Sequence, residues 1–277
     1  MKQRLVKALF NLILILFLPS LYACEIYFSK YSSKLEINFS YLQSNDYQLD
    51  LWRLKKTSLK DVKELEDILV GNLKETAVKK YSFTPDGDSK PLLLTLTNNI
   101  KGIFKRGDNT FFSSIEAEIA AYRIDKLLGL GIVPITTRRH FNGNEGSIQL
   151  FVENATPAMD VSKSIIPDQI EMAKMDIFDY IIVTGNERHT LNYLITDNGK
   201  VIAIDHGLAL RSINLESPNF QKTTSAFLNS EEGRIFLDKI SSISKEKLEQ
   251  SLNDLLDNKT IDGIYYRLDQ ILKLYYK

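Results

Sequence analysis

The feature that most constrains the fold is a pair of apolar runs on either side of Asn198 and Gly199, in the second half of the chain. Asn-Gly between such runs is the strongest short signal for a β-hairpin with a two-residue type I′ turn. Counting outward from this turn places Asn192 opposite Asp205. Directly opposed residues have Cβ atoms about 4.5–5.5 Å apart and share one face of the hairpin. The sequence therefore predicts that an amide oxygen and a carboxylate lie side by side at the open end of a hairpin.

Two oxygen ligands at this separation suit Mg²⁺, which usually takes its remaining ligands from water and phosphate. Glu187 lies in the loop that leads into the first strand, so a third polar group approaches the same end of the hairpin. The competing interpretation is a polar hairpin end that simply faces solvent, because Asn and Asp are common at turns and strand ends.

A lysine and a glutamate earlier in the chain favour a phosphate site. Lys105 ends an apolar strand, and Glu118 lies beside the apolar side of the helix that follows it. An unpaired carboxylate in that place would be costly. A strand lysine that faces a helix glutamate is the arrangement with which phosphoryl-transfer enzymes hold nucleotide phosphates. Two solvated charges are the alternative if this pair is taken alone.

These residues come in the chain order of protein-kinase-like folds. The segment GIFKR…EIAAYRIDKLLGLGIVP, the loop from Glu187 to Asn192 and the run Ile204 to Gly207 resemble the phosphatidylinositol 3-/4-kinase superfamily. That superfamily includes actin-fragmin kinase and secretory kinases of the Golgi casein kinase type. The resemblance spans roughly residues 81 to 210. HipA-type kinases share an Arg-His-x-x-Asn-like loop but lack the Ile-Asp-x-Gly ending, so we rank them second.

The resemblance implies a role for each residue. Lys105 would contact the phosphates of ATP, and Glu118 would orient Lys105. Asn192 and Asp205 would hold Mg²⁺, and Glu187 would accept the proton of the attacking hydroxyl. The other nucleotide contacts would come from a loop over the phosphates and from the connection between two lobes, with Ser89 in the first and Gln149, Phe151 and Val152 in the second.

Glu187 departs from the family pattern, which has an aspartate at that position. The longer side chain shifts the carboxylate oxygens by more than about 1 Å unless the loop compensates, and misplacement of that size can cost about 10²-fold in rate. The alternatives are a slow kinase, altered chemistry such as nucleotidyl transfer, or a nucleotide-binding pseudokinase that acts as a binding module. The segment after Gly207 lacks an Ala-Pro-Glu signature, so the acceptor is open between a protein and a small-molecule hydroxyl.

The rest of the pattern predicts strands in the first half and helices in the second, an α+β class with two lobes. One helical stripe begins after Ser58 and ends at Gly71, and a second helix begins at Ser113 with Glu116 completing a capping box. A linker is expected near residues 153–157. Later helices are predicted at 168–184, 230–241, 244–257 and 260–275. The resulting segments are a leader (1–24), an extension with one helix (25–80), a small antiparallel-sheet lobe that binds nucleotide (81–152) and a mostly helical catalytic lobe (153–277).

The N-terminus carries three basic residues before an apolar run from Ala8 to Leu18, followed by Ala23 and Cys24. This is typical of a secretory signal peptide, and the run is shorter than the roughly 20 residues of a membrane span. Cys24 stands where bacterial lipoproteins carry their lipid, so we expect an exported protein that is periplasmic, membrane-tethered or secreted. Plain cleavage near Ala23, with an incidental thiol, is the alternative.

The amino-acid composition argues against several classes of protein. Lys plus Arg and Asp plus Glu are 35 each, which argues against a nucleic-acid binder that relies on a basic face. One cysteine excludes an intramolecular disulfide, and three histidines leave little for a zinc enzyme. Two of these, His189 and His206, lie in the candidate site, where structural roles are favoured over acid–base ones. The expected partners are a nucleotide and a hydroxyl acceptor, with membrane contact only through the leader or a lipid anchor. A structural lipoprotein without a ligand is the third hypothesis.

Overall fold

The computed structural model describes residues 59–84, 90–107, 114–161, 165–184, 188–211 and 222–276. The predicted leader with Cys24, Ser89, Glu187 and the segment 212–221 lie outside the described residues. Within the described ranges, no helix combines the length and the apolar character that crossing a membrane requires.

Among the described residues, five antiparallel strands form the main sheet, in the spatial order β1-β2-β3-β5-β4. The strands are β1 (Val78–Phe83), β2 (Leu92–Leu96), β3 (Lys101–Arg106), β4 (Thr136–Phe141) and β5 (Asn144–Leu150). Strand β3 contains Lys105, which confirms the apolar strand predicted there, and it pairs in antiparallel fashion with β2. The sequence does not predict β1, which is mostly exposed and lies at the edge of the sheet. The expected boundary between residues 80 and 81 lies inside this strand.

Successive residues of a strand point to opposite faces of a sheet, and in β3 this alternation separates Phe104 from Lys105. Phe104 and Gly102 are buried on the first face. Helix α1 (Leu59–Glu75) packs on this face. The contact is close, since a Cβ added at Gly102 would lie 3.2 Å from Cδ2 of Leu73. Helix α2 (Ile115–Leu128) contacts the second face, to which Lys105 points.

Both helix ends differ from the predicted ones. The N-cap of α2 is Ser114, whose hydroxyl accepts the N–H of Ala117, so the predicted cap at Ser113 was wrong by one residue. Helix α1 continues through Gly71 to Glu75, so its predicted end was also wrong. The buried guanidinium of Arg139 in β4 caps the end of α1 by donating to the carbonyls of Leu73 and Thr76. That tertiary cap stabilises a last turn that the local sequence does not specify.

The second half of the chain confirms the expected helical character. Helices α3 (Gln169–Ile182), α5 (Glu231–Ser241), α6 (Lys245–Leu252) and α7 (Asn258–Tyr275) lie near the predicted positions, and α4 (Lys222–Leu228) is additional. The expected linker instead contributes β6 (Ala155–Pro157), which pairs with β7 (Tyr193–Thr196) and so joins the hairpin of β7 and β8 (Val201–Ala203). The α+β class is confirmed. The described residues belong to one compact unit, and the division into two lobes stays a prediction.

Candidate functional site

The hairpin of β7 and β8 forms where the sequence predicts it, but its register differs by one residue. Tyr193 pairs with Ala203 and Ile195 with Val201. A three-residue loop connects the strands, and in it Gly199 has a φ of 81° whereas Asn198 does not have a positive φ. A type I′ turn needs positive φ at both positions, while a three-residue loop needs it only at its last residue.

The side chain of Thr196 explains why the longer loop forms. Its hydroxyl is hydrogen-bonded to the Asn198 side chain and accepts the N–H of Lys200 at 3.0 Å. The N–H of Thr196 in turn donates to the carbonyl of Lys200 at 3.1 Å. These bonds stabilise the three-residue loop, and with this loop the partner of every residue in the first strand is shifted by one position.

Asn192 consequently lies opposite Ile204, whose N–H donates to the Asn192 carbonyl at 3.1 Å. The prediction that Asn192 and Asp205 are directly opposed was wrong. Asp205 follows β8 with a φ of 59°, a left-handed conformation that is uncommon outside glycine. The assignment of these two residues as metal ligands therefore has no support from the register and depends on the family resemblance.

Lys105 lies between two carboxylates. Its Nζ atom is 2.5 Å from Oε1 of Glu118 and 2.7 Å from Oδ1 of Asp205. The side chain of Glu118 is 2% exposed, whereas that of Asp205 is 47% exposed. The contact between the strand lysine and the helix glutamate is thus formed as the sequence predicts, and Asp205 joins it from the end of the hairpin.

The two carboxylates determine the charge of this cluster. Burial alone would lower the pKa of Lys105, but Glu118 and Asp205 together raise this pKa above its ordinary value. Burial would likewise raise the pKa of Asp205, yet the charge of Lys105 holds it below its ordinary value. At neutral pH the cluster therefore contains a charged amine next to an ionised, half-exposed carboxylate.

The second oxygen of Glu118 connects helix α2 to the segment after β8. Glu118 Oε2 accepts the backbone N–H of His206 at 3.2 Å. The His206 ring is buried and meets the ring of Phe178 edge-on, with the centroids 5.7 Å apart. Burial, together with the charges of Arg188 and Lys105, lowers the pKa of His206 well below its ordinary value. A neutral, buried imidazole fits the structural role expected from the sequence.

Arg188 is the residue of this site that sequence reasoning missed. Its guanidinium donates to the carbonyls of Asn192 and Ile204 and forms an ion pair with Asp179 of α3, with Nη2 2.9 Å from Oδ1. The Arg188 side chain thus connects α3 to both sides of the open end of the hairpin. Burial raises the pKa of Asp179, and Arg188 opposes that shift. The signal was available, since Asp179 follows Phe178 within an apolar helix, where an unpaired carboxylate is costly.

Of the residues expected to contact the nucleotide, the structure describes Gln149, Phe151 and Val152. Gln149 lies in β5 opposite Ile103, so it is in a strand rather than in a connection, on the sheet face to which Lys105 also points. Its amide donates to the Thr136 hydroxyl at 3.0 Å. Val152 is buried, and the centroid of the Phe151 ring lies 5.8 Å from the ammonium of Lys101 in β3. No group of three or more His, Cys, Asp or Glu side chains that could hold a metal occurs in the part of the chain that the structure describes.

Comparison with known proteins adds an independent finding. The family model for phosphatidylinositol 3- and 4-kinases matches residues 74–233, more than half of the chain, and this range contains Lys105, Glu118 and Asp205. The crystal structure of the Golgi casein kinase with Mn/ADP bound is similar, with 16% sequence identity, a TM-score of 0.54 and coverage of 76% of this chain and 75% of that one. The structure of hydra Fam20 with sugar is also similar, with 14% identity, a TM-score of 0.56 and coverage of 83% and 95%. No curated protein sequence matches the chain.

Proposed function

The chain belongs to the phosphatidylinositol 3- and 4-kinase family, and from this premise we propose that it is an ATP- and Mg²⁺-dependent phosphotransferase acting on a protein or small-molecule hydroxyl. The family and the kinase-like fold support phosphotransferase activity in general. The observation that carries the finer proposal is the contact of one lysine with two carboxylates that come from different parts of the chain.

Lys105 would bind the phosphates of the nucleotide. Glu118 fixes its amine from the buried side, so the charged group is oriented before the nucleotide arrives. Phosphoryl transfer needs little covalent participation by the protein, and its rate depends mainly on positioning and on neutralising the charge of the transferring group. A preoriented lysine supplies both.

The Asp205 carboxylate has the charge and exposure that a hard divalent cation needs, since it is 47% exposed and ionised. The backbone of Asn192 lies at the open end of the same hairpin, opposite Ile204. Mg²⁺ commonly uses one or two carboxylates and completes its coordination with water and phosphate. Asn192 and Asp205 would hold the ion, which when bound would neutralise charge on the phosphate oxygens. The Mn/ADP of the Golgi casein kinase structure supports the use of a nucleotide with a divalent cation.

Glu187 would accept the proton of the attacking hydroxyl. The residue that follows it, Arg188, is fixed by Asp179 and by two backbone carbonyls, so one end of the loop that carries Glu187 is anchored. The proposal includes export, because the leader is of the secretory type and one similar protein is a Golgi kinase. Lipid attachment at Cys24 stays an expectation.

The test is nucleotide binding by the purified protein, followed by phosphate transfer. We expect ATP with Mg²⁺ or Mn²⁺ to raise the thermal unfolding midpoint of the wild type, and Asp205→Asn to lose the part that depends on the metal. Asp197→Asn is the matched control, since Asp197 is an exposed carboxylate in the loop of the same hairpin. The absence of any shift with any nucleotide would contradict the proposal.

Transfer of labelled phosphate from ATP to a panel of proteins and small alcohols separates an enzyme from a pseudokinase. An active wild type whose activity is lost in Glu187→Asp would show that Glu187 is adapted to its role. Binding without transfer, together with a gain of transfer in Glu187→Asp, would favour the binding module.

A further inference from the structure

Glu66 of helix α1 makes a buried contact with helix α2. The side chain is 5% exposed, and its Oε1 atom accepts hydrogen bonds from the Tyr122 hydroxyl and from the Lys126 ammonium. Tyr122 is buried as well. A carboxylate in such surroundings is stable only when it is paired and hydrogen-bonded, and here both conditions are met by residues of α2.

The two helices contact opposite faces of the main sheet. Arg139 of β4 is hydrogen-bonded to the end of α1, whereas the adjacent Arg138 forms an ion pair with Glu116 of α2, with Nη2 2.9 Å from Oε1. Adjacent residues of a strand point to opposite faces. Glu66 therefore links a helix on one face to the helix on the other, and α1 is held in turn by the buried Arg139.

The contact lies one helical turn from the site. Tyr122 follows Glu118 by four residues, so the two side chains are neighbours on one side of α2. A rotation or shift of α2 that separated Tyr122 from Glu66 would also move Glu118 away from Lys105 and from the N–H of His206.

A second contact holds α2 from the other end of the chain, and it is weaker. Arg123 forms a bidentate ion pair with Asp254, but their side chains are 36% and 56% exposed. Exposed ion pairs contribute little to stability, because solvent screens their charges. The buried contact of Glu66 is the stronger constraint on α2.

We propose that Glu66 is a positioning residue, which keeps helix α2 in the place where Glu118 can orient Lys105. This inference rests on the proposed function for its catalytic consequence, but not for its structural content. Glu66 touches neither Lys105 nor any group assigned to the nucleotide, and it acts through Tyr122 and the helix.

The experiment compares Glu66→Leu and Glu66→Gln with Asp67→Asn. Asp67 is the matched control, because it is the adjacent carboxylate on the same helix and is exposed. Hydrogen exchange followed by mass spectrometry would be measured for peptides covering residues 115–128 and 203–208, without nucleotide. We expect Glu66→Leu to accelerate exchange in both peptides, Glu66→Gln to do so less because it keeps an oxygen for Tyr122, and Asp67→Asn to leave both unchanged.

Phosphate transfer gives the catalytic readout. We expect kcat to fall by about tenfold or more in Glu66→Leu, since small displacements of an orienting group are costly, with a smaller change in the KM for ATP. If Glu66→Leu does not fold, Glu66→Gln and the same two peptides provide the test.

Exchange that changes only in the peptides of α1, or equally in Asp67→Asn, would overturn the proposal. So would unchanged kcat in an active enzyme whose α2 exchange is accelerated. A wild type that neither binds nucleotide nor transfers phosphate would refute the proposed function instead, and the exchange pattern would still decide whether Glu66 holds α2.

Discussion

Nζ of Lys105 lies 2.7 Å from Oδ1 of Asp205, although one hundred residues separate the two in the chain. The contact requires that Lys105 lie on the face of β3 that α2 contacts and that the chain turn sharply after β8. The second condition is met by the left-handed backbone of Asp205. Such a conformation costs of order 1 kcal/mol or more for a residue other than glycine, and it is concentrated at functional sites.

Lys105→Met should abolish most phosphate transfer, with a fall of about 10²-fold or more, since one preorganised charge opposite the phosphates is lost. It should also lower the free energy of unfolding, because Glu118 would remain as a buried carboxylate without its cation. Steady-state kinetics and urea unfolding measure the two effects.

Lys101→Met is the control for this change. Lys101 lies in the same strand and on the same face, but it pairs with the partly exposed Glu153. We expect a loss of stability of about 1 kcal/mol or less and near-normal transfer. Equal effects of the two substitutions on transfer would show that Lys105 has no special role.

Arg188→Met should destabilise the fold by about 3–5 kcal/mol, because it leaves Asp179 buried without a counter-charge and removes the guanidinium bonds to the carbonyls of Asn192 and Ile204. Arg123→Met removes an equally well-formed but exposed ion pair, and its cost should stay near or below about 1 kcal/mol. Urea unfolding of both variants gives the comparison. Similar losses would mean that Arg188 is more accessible to water than its contacts indicate.

The contact of Lys105 with Glu118 could be predicted because it depends on local rules. Alternation along β3 puts the lysine on one face, and the helical period puts the glutamate next to the apolar side of α2. The later helices were predictable for a similar reason, since Ser230 and Ser244 are N-caps whose hydroxyls accept backbone N–H groups at the expected starts.

The hairpin register could not be predicted in the same way. Asn-Gly is compatible with both a two-residue and a three-residue loop, and the choice depends on hydrogen bonds made by the Thr196 side chain. Strand β1 and the last turn of α1 also escape prediction, because one depends on pairing with β2 and the other on the distant Arg139. These are tertiary effects that override the local pattern.

A buried carboxylate should make stability depend on pH. Asp125 of α2 accepts the N–H groups of Ile132 and Val133, at 3.4 and 3.2 Å. Burial nevertheless raises its pKa from 3.8 to about 7, against the effect of these donors and of the charge of Lys239. Between about pH 4 and 7 the folded protein therefore retains a proton that the unfolded chain has lost. The free energy of unfolding should fall as pH rises through this window, and the Asp125 contribution should be constant above it.

Urea unfolding of the wild type and of Asp125→Asn at several pH values tests this. The difference in the free energy of unfolding between wild type and variant should fall by up to about 1.4 kcal/mol per pH unit between pH 4 and 7. Asp67→Asn removes an exposed carboxylate and should show no such trend. A difference that is independent of pH for Asp125→Asn would mean that the hydrogen bonds to the carboxylate outweigh its burial.

Gly71→Ala should stabilise the protein by about 0.5–1 kcal/mol, because Gly71 lies inside α1 and alanine restricts the unfolded chain more than glycine does. The position is exposed, its φ is not positive, and a Cβ there would meet no atom within 4 Å. Gly129→Ala is the contrasting variant, since Gly129 ends α2 with a φ of 70° and its Cβ would collide with the Lys239 side chain. It should destabilise by more than about 1 kcal/mol. Thermal and urea unfolding measure both changes. A loss of stability in Gly71→Ala would contradict this prediction and would indicate that α1 ends at Gly71, as the sequence predicts.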